Sequence, residues 1–220
     1  MSVFYPLEKH LYTIIFLHGM YQTDESLYEI AENIRNNNSN IKIIIPRAPL
    51  MTINWPTGPE SGVYSWYNYY TRRDGEMDHD IINKKDFIKQ TVQIYDIIDN
   101  ELKYILPKNI LIAGVSQGGT IAFNVGLNYK EKLGGIIGIH TILMDNVVNL
   151  KNINNISINL FSGKLDDIYN IDLQKNSLLK LHKNRFNIYW HIENDLNHCQ
   201  ESEKEIEFIN FSINKLLFKI

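Results

Sequence analysis

Short apolar runs and stretches of helical period alternate along most of the chain. Tyr12-Thr13-Ile14-Ile15-Phe16-Leu17 reads as a buried strand, followed at once by His18-Gly19. Leu27, Ile30, Ala31 and Ile34 then recur at i, i+3, i+4 and i+7, which predicts a helix with Thr23 or Asp24 as N-cap. A second strand is predicted at 41–45. A long helix over 84–106 puts Phe87, Thr91, Ile94, Tyr95, Ile98, Leu102 and Ile105 on one face. Beyond it the pattern predicts a strand at 110–115, a helix at about 117–129 and strands at 134–139 and 156–162. A helix at about 171–183, a strand at 186–192 and a last helix running to Ile220 complete the series. The stripe Ile206, Ile209, Ile213, Leu216 and Leu217 on that last helix reads as packing against a sheet.

Strands that are apolar on both faces and alternate with helices imply a mostly parallel sheet covered on both sides, an α/β domain. With 220 residues, the chain is predicted to form one such domain over 1–220. Sites in these folds form at the carboxyl ends of strands. One segment breaks the alternation. Residues 46–83 follow neither period, hold four of the six prolines, and carry Trp55, Tyr64, Trp66, Tyr67, Tyr69 and Tyr70. A stretch of this length without its own elements is expected to be a lid or pocket wall.

Composition narrows the function classes. Apolar residues make up 44% and charged residues 21%, ordinary values for a globular domain, and the formal net charge is −3. Without a basic run, nucleic acid is not an expected partner. No apolar stretch is long enough to predict a membrane span or a signal peptide. The single cysteine, Cys199, excludes an internal disulfide and suits a reducing compartment, so a cytoplasmic location is expected. The Asn-rich stretches 36–40 and 149–155 fit AT-rich codon usage better than an interaction tract.

The chemistry concentrates after the strand at 110–115. Gly114-Val115-Ser116-Gln117-Gly118 matches G-x-S-x-G between a strand and a helix, the setting of a nucleophile elbow. A sharp turn there lifts the serine hydroxyl off the sheet edge, and the following helix directs its first N–H groups at the same place. A phosphate-binding turn is the weaker reading, because the lysine of a P-loop is missing. A serine needs a base, and the base an orienting carboxylate. Acids occur at Asp166 and Asp167 after one later strand, and a histidine at His198 after the next, in the order Ser, acid, His. Other histidines compete poorly. His182 lies in a helix, His191 within a strand, and His10 and His79 precede the relevant strands. His140 ends a neighbouring strand and is expected to line the substrate pocket; His18 is expected to order the first loop by hydrogen bonding. Asp78-His79-Asp80 reads as acids before a helix rather than as a metal site. No HExxH or paired cysteines occur, so no metal is expected.

With these residues the chain resembles the phospholipase/carboxylesterase family of α/β hydrolases, which includes small carboxylesterases and acyl-protein thioesterases. The resemblance rests on Phe16-Leu17-His18-Gly19, Pro46-Arg47-Ala48-Pro49, Ser65-Trp66, Gly114 to Gly119, Gly163-Lys164-Leu165-Asp166 and His198-Cys199, and runs from about residue 12 to 218. It implies the α/β-hydrolase fold, a triad of Ser116, Asp166 and His198, and an oxyanion hole made by the backbone N–H groups of Met20 and Gln117. It also implies Trp66 near the acyl pocket. Tyr21 stands where the family usually has glycine, which puts a side chain at the pocket. Tyr169 and Asn170 replace an expected valine and proline.

The expected function is therefore a serine carboxylesterase working without metal or cofactor on a small-molecule or lipid ester. An acyl-protein thioesterase or lysophospholipase is the same chemistry on a long acyl chain. A non-catalytic ligand-binding module is the rival from another class, and a homodimer stays open.

Overall fold

The computed structural model describes residues 1–55, 57–69, 82–144, 148, 155–183, 186–200 and 202–219. Strands β1 (Ser2–Phe4), β2 (Tyr12–Leu17) and β3 (Ile41–Ile45) bracket helix α1 (Tyr28–Asn37). A hairpin, β4 (Leu50–Trp55) and β5 (Gly58–Tyr64), precedes helix α2 (Lys84–Glu101). Then come β6 (Ile110–Val115), α3 (Ser116–Asn128), β7 (Gly135–Ile139), β8 (Ile158–Gly163), α4 (Ile171–Lys183), β9 (Ile188–Glu193) and α5 (Glu203–Ile213).

Seven strands form one sheet in the order β1-β3-β2-β6-β7-β8-β9, parallel except for the edge strand β1. The double apolar face read from the sequence is what this sheet requires. Ile15, Leu17, Ile112 and Leu160 pack with residues of α2, α3 and α4 on one side. Ile14, Phe16, Leu111, Ile137 and Phe161 pack with residues of α1 and α5 on the other. Among the described residues no helix is long and apolar enough to cross a membrane.

Predicted and observed elements differ at two places that matter. The long helix stops at Glu101 rather than 106, because Leu102 to Ile105 turn before Pro107. Residues 46–83 are not structureless. They contain the antiparallel β4–β5 hairpin, of which only Ile53 and Val63 are buried, and their aromatics Trp66, Tyr67 and Tyr69 belong to the core. Tyr70 and the Asp78-His79-Asp80 triplet lie outside the described residues.

Candidate active site

β6 passes into α3 with no intervening loop, and the reversal falls on Ser116, whose φ of 49° is in the left-handed region. A non-glycine residue held there is strained and persists only where its surroundings fix it. The adjacent glycines provide the fixing by close approach. A Cβ on Gly114 would lie 2.5 Å from the Gly118 carbonyl group, so only glycine lets α3 fold back over β6. A Cβ on Gly118 would lie 2.4 Å from the His18 carbonyl oxygen, so α3 presses against the end of β2. A Cβ on Gly119 would lie 2.5 Å from the Thr141 hydroxyl, which donates to the Ser116 carbonyl at 2.7 Å.

The Ser116 hydroxyl lies 2.8 Å from His198 Nε2, and His198 Nδ1 lies 2.9 and 3.0 Å from the two carboxylate oxygens of Asp166. This geometry places the ring proton on Nδ1, facing the carboxylate, and leaves the Nε2 lone pair for the serine proton. Asp166 also accepts from the N–H groups of Ile168 and Tyr169, at 3.0 and 2.6 Å. Burial works against its charge, but the imidazoles of His140 and His198 and the Tyr169 N–H outweigh it and hold the carboxyl below its ordinary range. Asp167 is exposed. The loop bearing His198 reaches Asp166 only because Gly163 has no side chain: a Cβ there would sit 2.2 Å from the Leu196 carbonyl oxygen.

The loop after β2 lies beside the serine, with the Gly19 Cβ direction 3.5 Å from Ser116 Cβ. As the second residue of α3, Gln117 lies among the first four residues of the helix, whose N–H groups have no intrahelical acceptor. His18 is buried and bonds at both nitrogens: Nδ1 to the Gly19 carbonyl at 2.7 Å and Nε2 from the Ala48 N–H at 3.0 Å. Burial lowers its pKa, in keeping with a neutral ring. The Gln117 side chain bonds the segment after β5. Its oxygen accepts from the Trp66 N–H at 2.8 Å and its nitrogen donates to Ser65 Oγ and the Tyr67 carbonyl at 2.9 and 3.0 Å.

Three expected pocket residues have different placements. Tyr21 is 57% exposed with φ 66°; its hydroxyl donates to Glu60 and its N–H to the Tyr64 carbonyl, which ties the hairpin to the loop after β2. Trp66, expected near the acyl pocket, is 1% exposed, and its indole N–H is spent on the His18 carbonyl. It supports the loop from beneath. His140, expected to line the pocket, is 2% exposed, with Asp166 Oδ2 3.6 Å from Nδ1 and Glu205 of α5 at 3.2 Å from Nε2. The sequence reading missed Glu205 altogether, since α5 shows only its apolar stripe. Thr141 and the Gln117 side chain were equally unmarked, although Gln117 lies inside the motif.

The family described as Phospholipase/Carboxylesterase matches residues 1–217. Acyl-protein thioesterase 1 of Schizosaccharomyces pombe is 31% identical over 134 residues, 60% of this chain and 57% of that protein. Its namesake in Yarrowia lipolytica is 26% identical over 211 residues, 92% of this chain and 91% of that one. The match thus spans less than two thirds of the first relative and most of the second. The crystal structure of Arabidopsis thaliana SOBER1 superposes with a TM-score of 0.80 at 21% identity, covering 94% of this chain and 99% of that chain.

Proposed function

The chain belongs to the phospholipase/carboxylesterase family, and on that footing we propose that it is a serine hydrolase of carboxylic esters. One observation carries the reading: Asp166, His198 and Ser116 stand in an unbroken hydrogen-bonded line that ends on a strained serine at a helix N-terminus. His198 Nε2 takes the Ser116 proton as Oγ attacks the acyl carbonyl, and Asp166 holds the ring and meets the imidazolium charge. The Met20 and Gln117 N–H groups receive the oxyanion. His198 returns the proton to the leaving alcohol or thiol. Water, deprotonated by the same nitrogen, then releases the acid from Ser116. No step calls on a metal or cofactor. The hairpin walls the pocket, a role supported by the Tyr21–Tyr64 and Tyr21–Glu60 bonds. The one cysteine suits a cytoplasmic setting.

A second reading, cleavage of thioesters on long acyl chains, is favoured by the relatives, which are acyl-protein thioesterases by name. A series of esters and matched thioesters of rising chain length separates the two. Labelling by a fluorophosphonate tests the shared chemistry: the wild type takes the label and Ser116→Ala does not. Label retained by folded Ser116→Ala, or absent from the wild type, overturns the proposal.

A further inference from the structure

Ser116, Asp166 and His198 follow the carboxyl ends of β6, β8 and β9. At the opposite end of the sheet, where β2, β6, β7, β8 and β9 begin, a cleft of ≈ 710 Å³ is lined by residues at these strand starts and by the turn that continues α5. Its size is that of a small-molecule site. Lys108, Lys132, Lys215 and Lys219 line it, and no carboxylate does among the described residues. Lys42, Lys130 and Lys204 each pair with a carboxylate; these four do not, among the described residues. Four like charges around one cleft, in a chain of formal net charge −3, leave a local positive field that an anion neutralises.

A buried amide marks the same place. Asn159, the second residue of β8, is 2% exposed and lines the cleft, and its Nδ2 has no hydrogen-bond partner among the described residues. Packing alone would take an apolar residue in this wholly buried strand, and a buried donor left unpaired is costly. Phe161, two residues on, packs on the α5 side of the sheet, so the Asn159 side chain faces that side too. Asn159 stands in register with Tyr189, and Lys215 Nζ is held 3.9 Å from the Tyr189 ring centroid. One charge is therefore fixed beside the unpaired amide.

We propose that this cleft binds a small phosphate-bearing molecule, with the lysines and the Asn159 amide as its donors. Lysine meets phosphate as a point charge, and the multiple charge of a phosphate answers several ammonium groups where a carboxylate answers one. Tyr12, Leu216 and Leu217 add an apolar wall for the organic part of the molecule. A soluble ligand fits this position better than a lipid headgroup, since a membrane held here would lie at the end of the sheet away from Ser116. The site shares no residue with the triad and does not depend on the hydrolase reading.

The test is NMR titration of ¹⁵N-labelled protein with pyrophosphate, and with acetate as the singly charged control. Pyrophosphate is expected to give saturable shifts confined to the cleft, among them the Asn159 side-chain amide and the Gly134 N–H, and acetate none at the same concentration. The double exchange of Lys108→Gln with Lys132→Gln, both exposed residues, should weaken binding by about tenfold. Asn159→Leu, which removes a donor to a charged group, should weaken it by at least about tenfold; the lysine exchanges carry the test if this variant does not fold. Lys130→Gln, outside the cleft, should leave the midpoint unchanged. Turnover of a short ester should be the same in the lysine variants as in the wild type. No saturable shift, an unchanged midpoint in the double variant, or shifts as large around Lys130 and Lys164 as in the cleft would overturn the proposal. Vesicles containing phosphatidylserine should leave the protein in the supernatant; sedimentation that the double variant loses would make the lysines a membrane contact and likewise overturn it.

Discussion

The indole N–H of Trp66 donates to the His18 carbonyl oxygen across 2.7 Å, while the backbone N–H of Trp66 donates to the Gln117 side chain at 2.8 Å. One buried residue thus ties the loop after β2 to the first turn of α3, the two segments that carry the proposed oxyanion donors. Trp66→Ala empties a fully buried site and is expected to destabilise the fold by about 3–5 kcal/mol. Thermal unfolding should show a fall on the order of 10 °C. A melting temperature near wild type, with a changed acyl-length preference instead, would return Trp66 to the pocket wall.

Asp166 and Asp167 are neighbours with opposite surroundings. Asp166 is buried and bonded to His198, Ile168 N–H and Tyr169 N–H; Asp167 is exposed. Asp166→Asn puts an amide where the ring N–H needs an acceptor, which favours the wrong tautomer, and turnover of an activated ester should fall by about 10⁴. Asp167→Asn should stay within about tenfold of wild type, less than about 1.4 kcal/mol of barrier. Rates measured on both folded variants decide; the reverse ranking would move the acid by one residue.

Ser116, Asp166 and His198 are legible in the sequence because each sits in a local signature at a strand's end, and the strands announce themselves as unbroken apolar runs. The hairpin is not legible. Gly58 and Gly62 adopt positive φ, the register shifts between Met51 and Thr52, and only Ile53 and Val63 turn inward, so no alternation survives to be read. The burial of Trp66 depends on Gln117, 51 positions away, and the His140–Glu205 contact joins residues 65 apart. Neither pairing leaves a spacing that a single sequence displays. The same limit explains why His140 is read as a pocket residue: its place at a strand's end is visible, but the burial of its ring near Asp166 and Glu205 is not.

Asp24 gives a pH-dependent test of the scaffold around His18. Its buried carboxylate accepts from Ser2 Oγ at 2.6 Å and from the Arg47 guanidinium, next to Ala48, whose N–H holds His18. Burial raises its pKa, but Ser2 and Arg47 prevail and hold it at about 2, below the ordinary 3.8. A depressed folded value means that the contribution is complete above about 3.8 and is lost as pH falls through about 2. Asp24→Asn should therefore melt below wild type at neutral pH, and the gap should close between about pH 4 and pH 2. A gap that persists at the acid end would show that the loss is one of packing rather than charge.

Gly118 and Gly119 are adjacent, yet alanine at each should fail differently. The Cβ of Gly119→Ala meets Thr141 Oγ1, Cβ and Cγ2 at 2.5, 2.6 and 2.7 Å, so the segment after β7 must shift, but that segment carries neither proposed oxyanion donor. The Cβ of Gly118→Ala meets backbone, the His18 and Leu17 carbonyl oxygens at 2.4 and 2.5 Å, and backbone can yield only if α3 moves off the end of β2. Overpacking of this kind costs about 1–3 kcal/mol in stability. The functional loss should be larger than that figure suggests, because the displaced contact joins Gly118, next to Gln117 on α3, to His18, two residues before Met20. Moving the two segments apart separates the proposed oxyanion donors, Gln117 and Met20, and removing a single such donor costs about 10²–10³ in turnover. Gly118→Ala is thus expected to lose at least about 10² in kcat with KM less affected, since the oxyanion exists only after attack. Gly119→Ala should lose less. Steady-state kinetics on a short ester, with melting curves to show that both variants fold, distinguish the two, and a Gly118→Ala enzyme with wild-type kcat would detach the oxyanion hole from this contact.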